Sequence, residues 1–115
     1  MKKILLVLIA VGMISGVVSP SFGAETAKPL IIDVRTEAEW NSGHIEGAVL
    51  IPYELIGDRI GAVAGDKSGR IYLYCRTGRR SQIAKGTLDK LGYKDVVNLG
   101  ALEDAAKAMN LKIIK

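Results

Sequence analysis

One cysteine and one histidine stand among 115 residues. A single Cys cannot close an internal disulfide, and with a single His it cannot build a zinc site of the Cys/His kind. There is no G-x-G-x-x-G fingerprint and no G-x-x-x-x-G-K-[ST] phosphate loop, so a nucleotide is not indicated. The expectation is a protein without cofactor or metal. Internal repeats, low-complexity tracts and interdomain linkers are also missing. What is present is a folded composition, 49% hydrophobic and 24% charged, in a length that allows one domain.

Residues 1–23 read as a signal peptide and 24–115 as the mature domain. Lys2 and Lys3 give a positive start, Ile4 to Val11 is unbroken apolar sequence, and Pro20 ends any helix. Ser21-Phe22-Gly23 puts small residues where signal peptidase reads, with cleavage before Ala24. The apolar stretch to Val18 is 15 residues, against the ~20 a membrane-spanning helix needs, which argues against a retained anchor. Export implies an oxidising compartment such as a bacterial periplasm, where a lone thiol is either buried and inert or reactive and used. Loss of the two lysines leaves a net charge of +2. That balance gives no reason to expect a nucleic-acid partner. Neither membrane attachment after cleavage nor an interface motif is indicated, so a monomer is expected.

Along the mature chain, apolar runs of strand length alternate with helical spacing. Leu30-Ile31-Ile32 reads as a strand buried on both faces, Val49 to Ile51 as a second, Ile71 to Tyr74 as the strongest and Val96-Val97 as the start of another. Thr36 and Glu39 fit a capping box for a short helix stopping at Gly43. Residues 53–64 and 102–109 have helical character. Ser81 is read as the cap of a helix to Leu91, with Ile83, Leu88 and Leu91 on one side. Leu111 to Lys115 reads as a tail or edge strand. Short links between alternating elements predict an α/β domain, a mostly parallel central sheet with helices on both faces. Ligands of such sheets sit beyond the carboxyl ends of the strands. That places interest on Asp33-Val34-Arg35 and on Cys75 onward.

Cys75-Arg76-Thr77-Gly78-Arg79-Arg80-Ser81 lies between the strongest strand and a helix start. Free N–H groups at that start favour an anion, and three arginines add positive potential. Such surroundings lower a cysteine pKa from ~8.5 into the ~3.5–7.5 range. Gly78 lets the backbone curl into an anion nest. The expectation is a nucleophilic thiolate in a cradle that also takes an anionic substrate. The bland alternative, a buried strand-end Cys beside solvated arginines, does not explain the glycine and helix start that follow it.

This loop resembles the active-site loop of the rhodaneses, the thiosulfate sulfurtransferases. Ile32-Asp33-Val34-Arg35, Glu39-Trp40, Gly43-His44-Ile45-Glu46-Gly47-Ala48 and Ile51-Pro52 match the family's N-terminal signature in order and spacing. With a signal peptide and one domain, the chain is most similar to the periplasmic phage-shock-protein-E type. The resemblance implies the rhodanese three-layer fold and catalysis in two steps. Cys75 takes the outer sulfur of thiosulfate or a similar small anionic donor, and a persulfide passes it to cyanide or a thiol acceptor. On that reading Arg76, Thr77, Gly78, Arg79 and Arg80 form the substrate-binding loop, with Arg76 and Arg79 guiding the donor. Arg80 orients the loop through Asp33, and Asp33, Arg35 and Ser81 support it. His44 is read as fixing a turn through a hydrogen bond. Two departures stand out: Leu50 where many rhodaneses have Asn, and Gly100-Ala101 in place of paired glycines.

Two other functions compete. Cysteine-dependent phosphatases and arsenate reductases related to this family use a loop one residue longer, closed by an Arg six positions after the Cys. Here that position is Ser81. A persulfide carrier or anion-binding module with little turnover would need the same thiol, and the residues do not separate carrier from catalyst.

Overall fold

Parallel pairing needs crossovers long enough to hold a helix, and the spacing of apolar runs in this chain provides them. The computed structural model describes residues 28–115. The signal peptide read over 1–23 and the cleavage point before Ala24 lie outside the described residues. The central sheet is built from β1 (Leu30–Asp33), β3 (Val49–Leu50), β4 (Arg70–Cys75) and β5 (Asp95–Ala101), in the order β3-β1-β4-β5 with every pair parallel. Leu30 to Asp33 pairs in register with Ile71 to Tyr74, which brings the carboxyl ends of β1 and β4 side by side.

Helices cover both faces. On one side α2 (Ile56–Val63), preceded by a 3-10 turn over Tyr53–Leu55, and α3 (Arg79–Lys90) pack on Ile32, Ile71, Leu73 and Cys75 through Ile56, Ile60, Ala84 and Leu88. On the other side α4 (Leu102–Met109) lays Ala105 and Ala106 against Ile31, Ile45 and Tyr74. The expected parallel α/β sandwich is therefore present. A short helix, α1 (Glu37–Ser42), begins in a complete capping box: Thr36 Oγ1 accepts the Glu39 N–H while Glu39 Oε1 accepts the Thr36 N–H. It ends at Gly43, as its sequence indicates.

The chain end does not join the main sheet. Residues Ile113–Ile114 form β6, which runs antiparallel to β2 (His44–Ile45) as a separate two-stranded sheet. The buried Tyr74 hydroxyl ties this ribbon down by accepting the Ile45 N–H at 3.0 Å. Trp40 stacks on His44 with ring centroids 3.5 Å apart, and His44 Nδ1 lies 2.9 Å from the Trp40 carbonyl. His44 is thus engaged in the turn it was expected to fix.

Two sequence expectations need correction around α3. Its first residue is Arg79 and its cap is Gly78, in the left-handed region at φ +97°; Ser81 lies inside the first turn and is fully buried. The buried stripe is Ser81, Ala84 and Leu88, whereas Ile83 and Leu91 are about 40% exposed. The cap lies three residues earlier than expected, at Gly78 rather than Ser81. At 3.6 residues per turn Ile83 stands roughly 140° from Leu88, so the two cannot share the inward face, and Leu91 lies beyond the last turn. Leu88→Ala is therefore expected to destabilise by about 2–5 kcal/mol. Leu91→Ala should stay within about 0.5 kcal/mol of wild type. Urea unfolding midpoints of the two variants check the contrast.

Candidate active site

β4 delivers Cys75 to the carboxyl edge of the sheet, fully buried beneath the residues that follow it. Burial alone favours the neutral thiol. The turn over residues 76–78 counters this because Gly78, at positive φ, folds the backbone back so that its own N–H donates to Cys75 Sγ at 3.0 Å. A side chain at Gly78 would also meet Gly100, whose Cα is 3.4 Å from where a Cβ would sit. The Ser81 hydroxyl lies 3.5 Å from the sulfur. Burial pushes the Cys75 thiol pKa up, but hydrogen bonds from the Ser81 hydroxyl and from the N–H groups of Ser81, Thr77 and Gly78 outweigh it, and the net displacement is downward.

The arginines divide into two kinds. Arg80, mostly buried, forms a two-pronged pair with Glu39, Nη1 to Oε1 at 2.8 Å and Nη2 to Oε2 at 2.9 Å. Arg76, three-quarters exposed, stands 3.8 Å from the same carboxylate, and Arg79 is exposed with no ion-pair partner among the described residues. Arg79 is thus unpaired at the loop surface among the described residues, Arg76 shares the Glu39 carboxylate at longer range, and Arg80 is committed to the scaffold.

That third pairing corrects the sequence reading, which gave Arg80 to Asp33. Asp33 is taken by Arg35, whose Nε and Nη2 reach its two oxygens at 2.9 and 2.7 Å and whose Nη2 also donates to the Gly43 carbonyl at 2.6 Å. No hydrogen bond from Asp33 or Arg35 reaches residues 76–81 among the described residues. Both are buried, and they brace the end of α1 rather than the thiol loop. Glu39 instead serves two masters, completing the capping box and gripping Arg80. Its carboxyl is held down to about 2, first by the Arg80 hydrogen bonds, which outweigh the opposing effect of burial, and further by hydrogen bonds from Thr36.

Sequence reasoning missed Asn98. It sits on β5, where its Oδ1 accepts the Ser81 hydroxyl at 2.6 Å and its Nδ2 donates to the Gly78 carbonyl at 3.0 Å. Its only sequence signal was a polar residue inside the run Val96-Val97-Asn98-Leu99. A cavity of about 210 Å³ lined by Lys28, Pro29, Ile31, Glu46, Gly47 and Leu111 shares no residue with the loop and opens at the opposite, amino-terminal end of β1.

The model of the rhodanese-like domain matches residues 22–105. This chain belongs to the rhodanese-like domain family. It is 39% identical over 75 residues to the thiosulfate sulfurtransferase PspE of Escherichia coli K12, covering 65% of this chain and 72% of that one. A sulfurtransferase of Allochromatium vinosum is 38% identical over 76 residues, covering 66% and 69%. Among solved structures, a rhodanese with anions from E. coli superposes with a TM-score of 0.70 at 34% identity, over 76% of this chain and 99% of that one. Some relatives are longer: the chain spans 21% of two Mycobacterium tuberculosis proteins to which it is 41% identical over 83 residues. The rhodanese fold and a place among the sulfurtransferases are thereby shown.

The Glu39–Arg80 pair gives a pH prediction. Because the folded carboxyl holds its proton less readily than the unfolded one, which titrates near 4.5, the pair's contribution is complete above that value. It is lost as pH falls towards about 2. Glu39→Gln preserves a capping box while removing the charge. It is expected to lower stability at neutral pH by on the order of 2 kcal/mol. The variant should also show a shallower fall in urea midpoint between pH 4.5 and 2 than the wild type.

Proposed function

We propose that this chain is a thiosulfate sulfurtransferase of the rhodanese type, working through a persulfide on Cys75. The observation that carries the reading is the Gly78 N–H donated to Cys75 Sγ at 3.0 Å, which supports an anionic sulfur at a buried strand end. In the first step the Cys75 thiolate attacks the outer sulfur of thiosulfate. The new S–S bond forms as the bond to the sulfonyl sulfur breaks, and sulfite leaves with that bond's electron pair. The persulfide anion then occupies the cradle, where the donors that held the thiolate can hold it. In the second step cyanide or a thiolate acceptor attacks the outer sulfur and the Cys75 thiolate departs. This is ping-pong covalent catalysis with no cofactor.

Within this scheme Arg76 and Arg79, exposed at the loop, attract the dianionic donor. The backbone of Thr77 and Gly78 holds charge on sulfur, and Arg80 fixes the loop to α1 through Glu39. The domain proper spans residues 24–115. It follows a cleaved signal peptide over 1–23 and works as a monomer in the periplasm. No helix among the described residues is long and apolar enough to cross a membrane.

Intact mass after mixing with thiosulfate tests the proposal. The wild type is expected to gain one sulfur atom and to release it on addition of cyanide, with thiocyanate formed. Cys75→Ala is expected to gain none. A wild type that gains no sulfur overturns the reading, and one that gains sulfur but passes it only to a protein acceptor is a carrier rather than this catalyst.

A further inference from the structure

β5 carries one residue more than β4 where the two strands flank the site. Leu73 pairs with Asn98 and Cys75 with Ala101, so two steps along β4 match three along β5, and Gly100 sits in the irregularity at φ +88°. A bulge of this kind re-aims the side chain beside it, here Asn98. The Asn98 amide is fully used. Nδ2 donates to the Gly78 carbonyl at 3.0 Å and to Gln82 Oε1 at 3.2 Å. Oδ1 accepts the Gly100 N–H at 2.9 Å and the Ser81 hydroxyl at 2.6 Å. Two backbone groups fix its orientation, because the Gly100 N–H can only donate and the Gly78 carbonyl can only accept.

Ser81 has one hydroxyl proton and three acceptors within reach. They are Asn98 Oδ1 at 2.6 Å, the Gly78 carbonyl at 3.1 Å and Cys75 Sγ at 3.5 Å. The Gly78 carbonyl already receives the Gln82 N–H as well as Asn98 Nδ2. The proton therefore rests on the shortest contact, and the Ser81 oxygen turns a lone pair to the sulfur while Cys75 is protonated. Once Cys75 ionises, a hydroxyl donated to the thiolate is charge-assisted and stronger than one donated to a neutral amide. The hydroxyl then swings to sulfur and gives up Asn98.

We propose that Asn98 is a positioning residue for Cys75: by holding the Ser81 hydroxyl proton it sets how readily that proton reaches the sulfur, and so the balance of thiol and thiolate. The proposal rests on Cys75 being the nucleophile, but not on what it attacks. The charged groups around the sulfur are Arg76 and Arg79 in the loop and at the helix start, Arg80 of α3 with Glu39 of α1 behind it, and Asp104 of α4 beyond Gly100. Asn98 is uncharged, so its influence runs through hydrogen bonding.

The test is the pH dependence of alkylation of the full chain by iodoacetamide, a neutral probe that reads the thiolate fraction and needs no sulfur donor. Four proteins are compared: wild type, Asn98→Ala, Ser81→Ala and the double variant. Asn98→Ala is expected to move the alkylation midpoint down by about half a pH unit, roughly a threefold faster reaction below the midpoint. That change should vanish when residue 81 is alanine. An equal change in both backgrounds, a rise, or no change overturns the proposal. Where Asn98→Ala does not fold, Asn98→Asp keeps acceptors for Ser81 and Gly100 and grips the proton harder. It is then expected to raise the midpoint further in the wild-type background than with Ser81→Ala, and equal rises overturn the proposal. Alkylation involves no sulfur transfer, so a chain that forms no persulfide would sink the functional reading and leave this result standing.

Discussion

Taking the Cys75 sulfur out of water favours the neutral thiol, so a nucleophile at this position depends on donors that replace the lost hydration. The loop after β4 supplies them from its backbone, and the left-handed turn at Gly78 aims the closest. Other features of the site follow from keeping that turn in place. Gly100 leaves room for it, Asn98 holds its carbonyl, and Ser81 sits beneath it with its hydroxyl between the carbonyl and the sulfur. Two of these three come from β5, which explains why that strand carries its irregularity beside Cys75 and not elsewhere.

Charge is arranged on the same logic. A loop with three free guanidinium groups would hold the anion but would also repel itself open. Glu39 meets two of them, Arg76 at 3.8 Å and Arg80 in a mostly buried, two-pronged pair, the geometry in which an Arg–carboxylate contact fixes position as well as charge. The same carboxylate closes the capping box of α1, so the helix start and the thiol loop are one hydrogen-bonded unit although 41 residues separate Glu39 from Arg80. Arg35 and Asp33 make a second, independent buried pair at the adjacent strand end. The two pairs do not exchange partners, because Arg35 is pinned both by its own carboxylate and by the Gly43 carbonyl.

Local pattern carried most of the fold. Apolar runs marked β1, β3 and β4, the Thr36–Glu39 box marked α1, and the alternation of elements marked the parallel sheet. The thiol, its glycine and its exposed arginines were equally visible, because they are contiguous in sequence. What could not be read was partnership across the chain. Glu39 looked like a complete capping residue, and nothing local said that its second oxygen was spoken for. Asn98 looked like an interruption in a strand, since its meaning lies in a register irregularity that exists only once β5 has paired with β4. Ser81 was read as a cap because Ser is among the residues favoured at that position. Gly78 takes that position instead, since only a left-handed residue there returns an N–H to the sulfur.

The placement of Ser81 also bears on why the loop has its length. In the related phosphatase-type loops the sixth position after the cysteine is the closing arginine, and here that position is buried, 3.5 Å from Sγ and 2.6 Å from Asn98 Oδ1. A guanidinium there would have to be desolvated against the core with no carboxylate to meet it, since Glu39 is already engaged by Arg80. A small hydroxyl fits, bonds in both directions and leaves the positive charge at the surface, on Arg76 and Arg79.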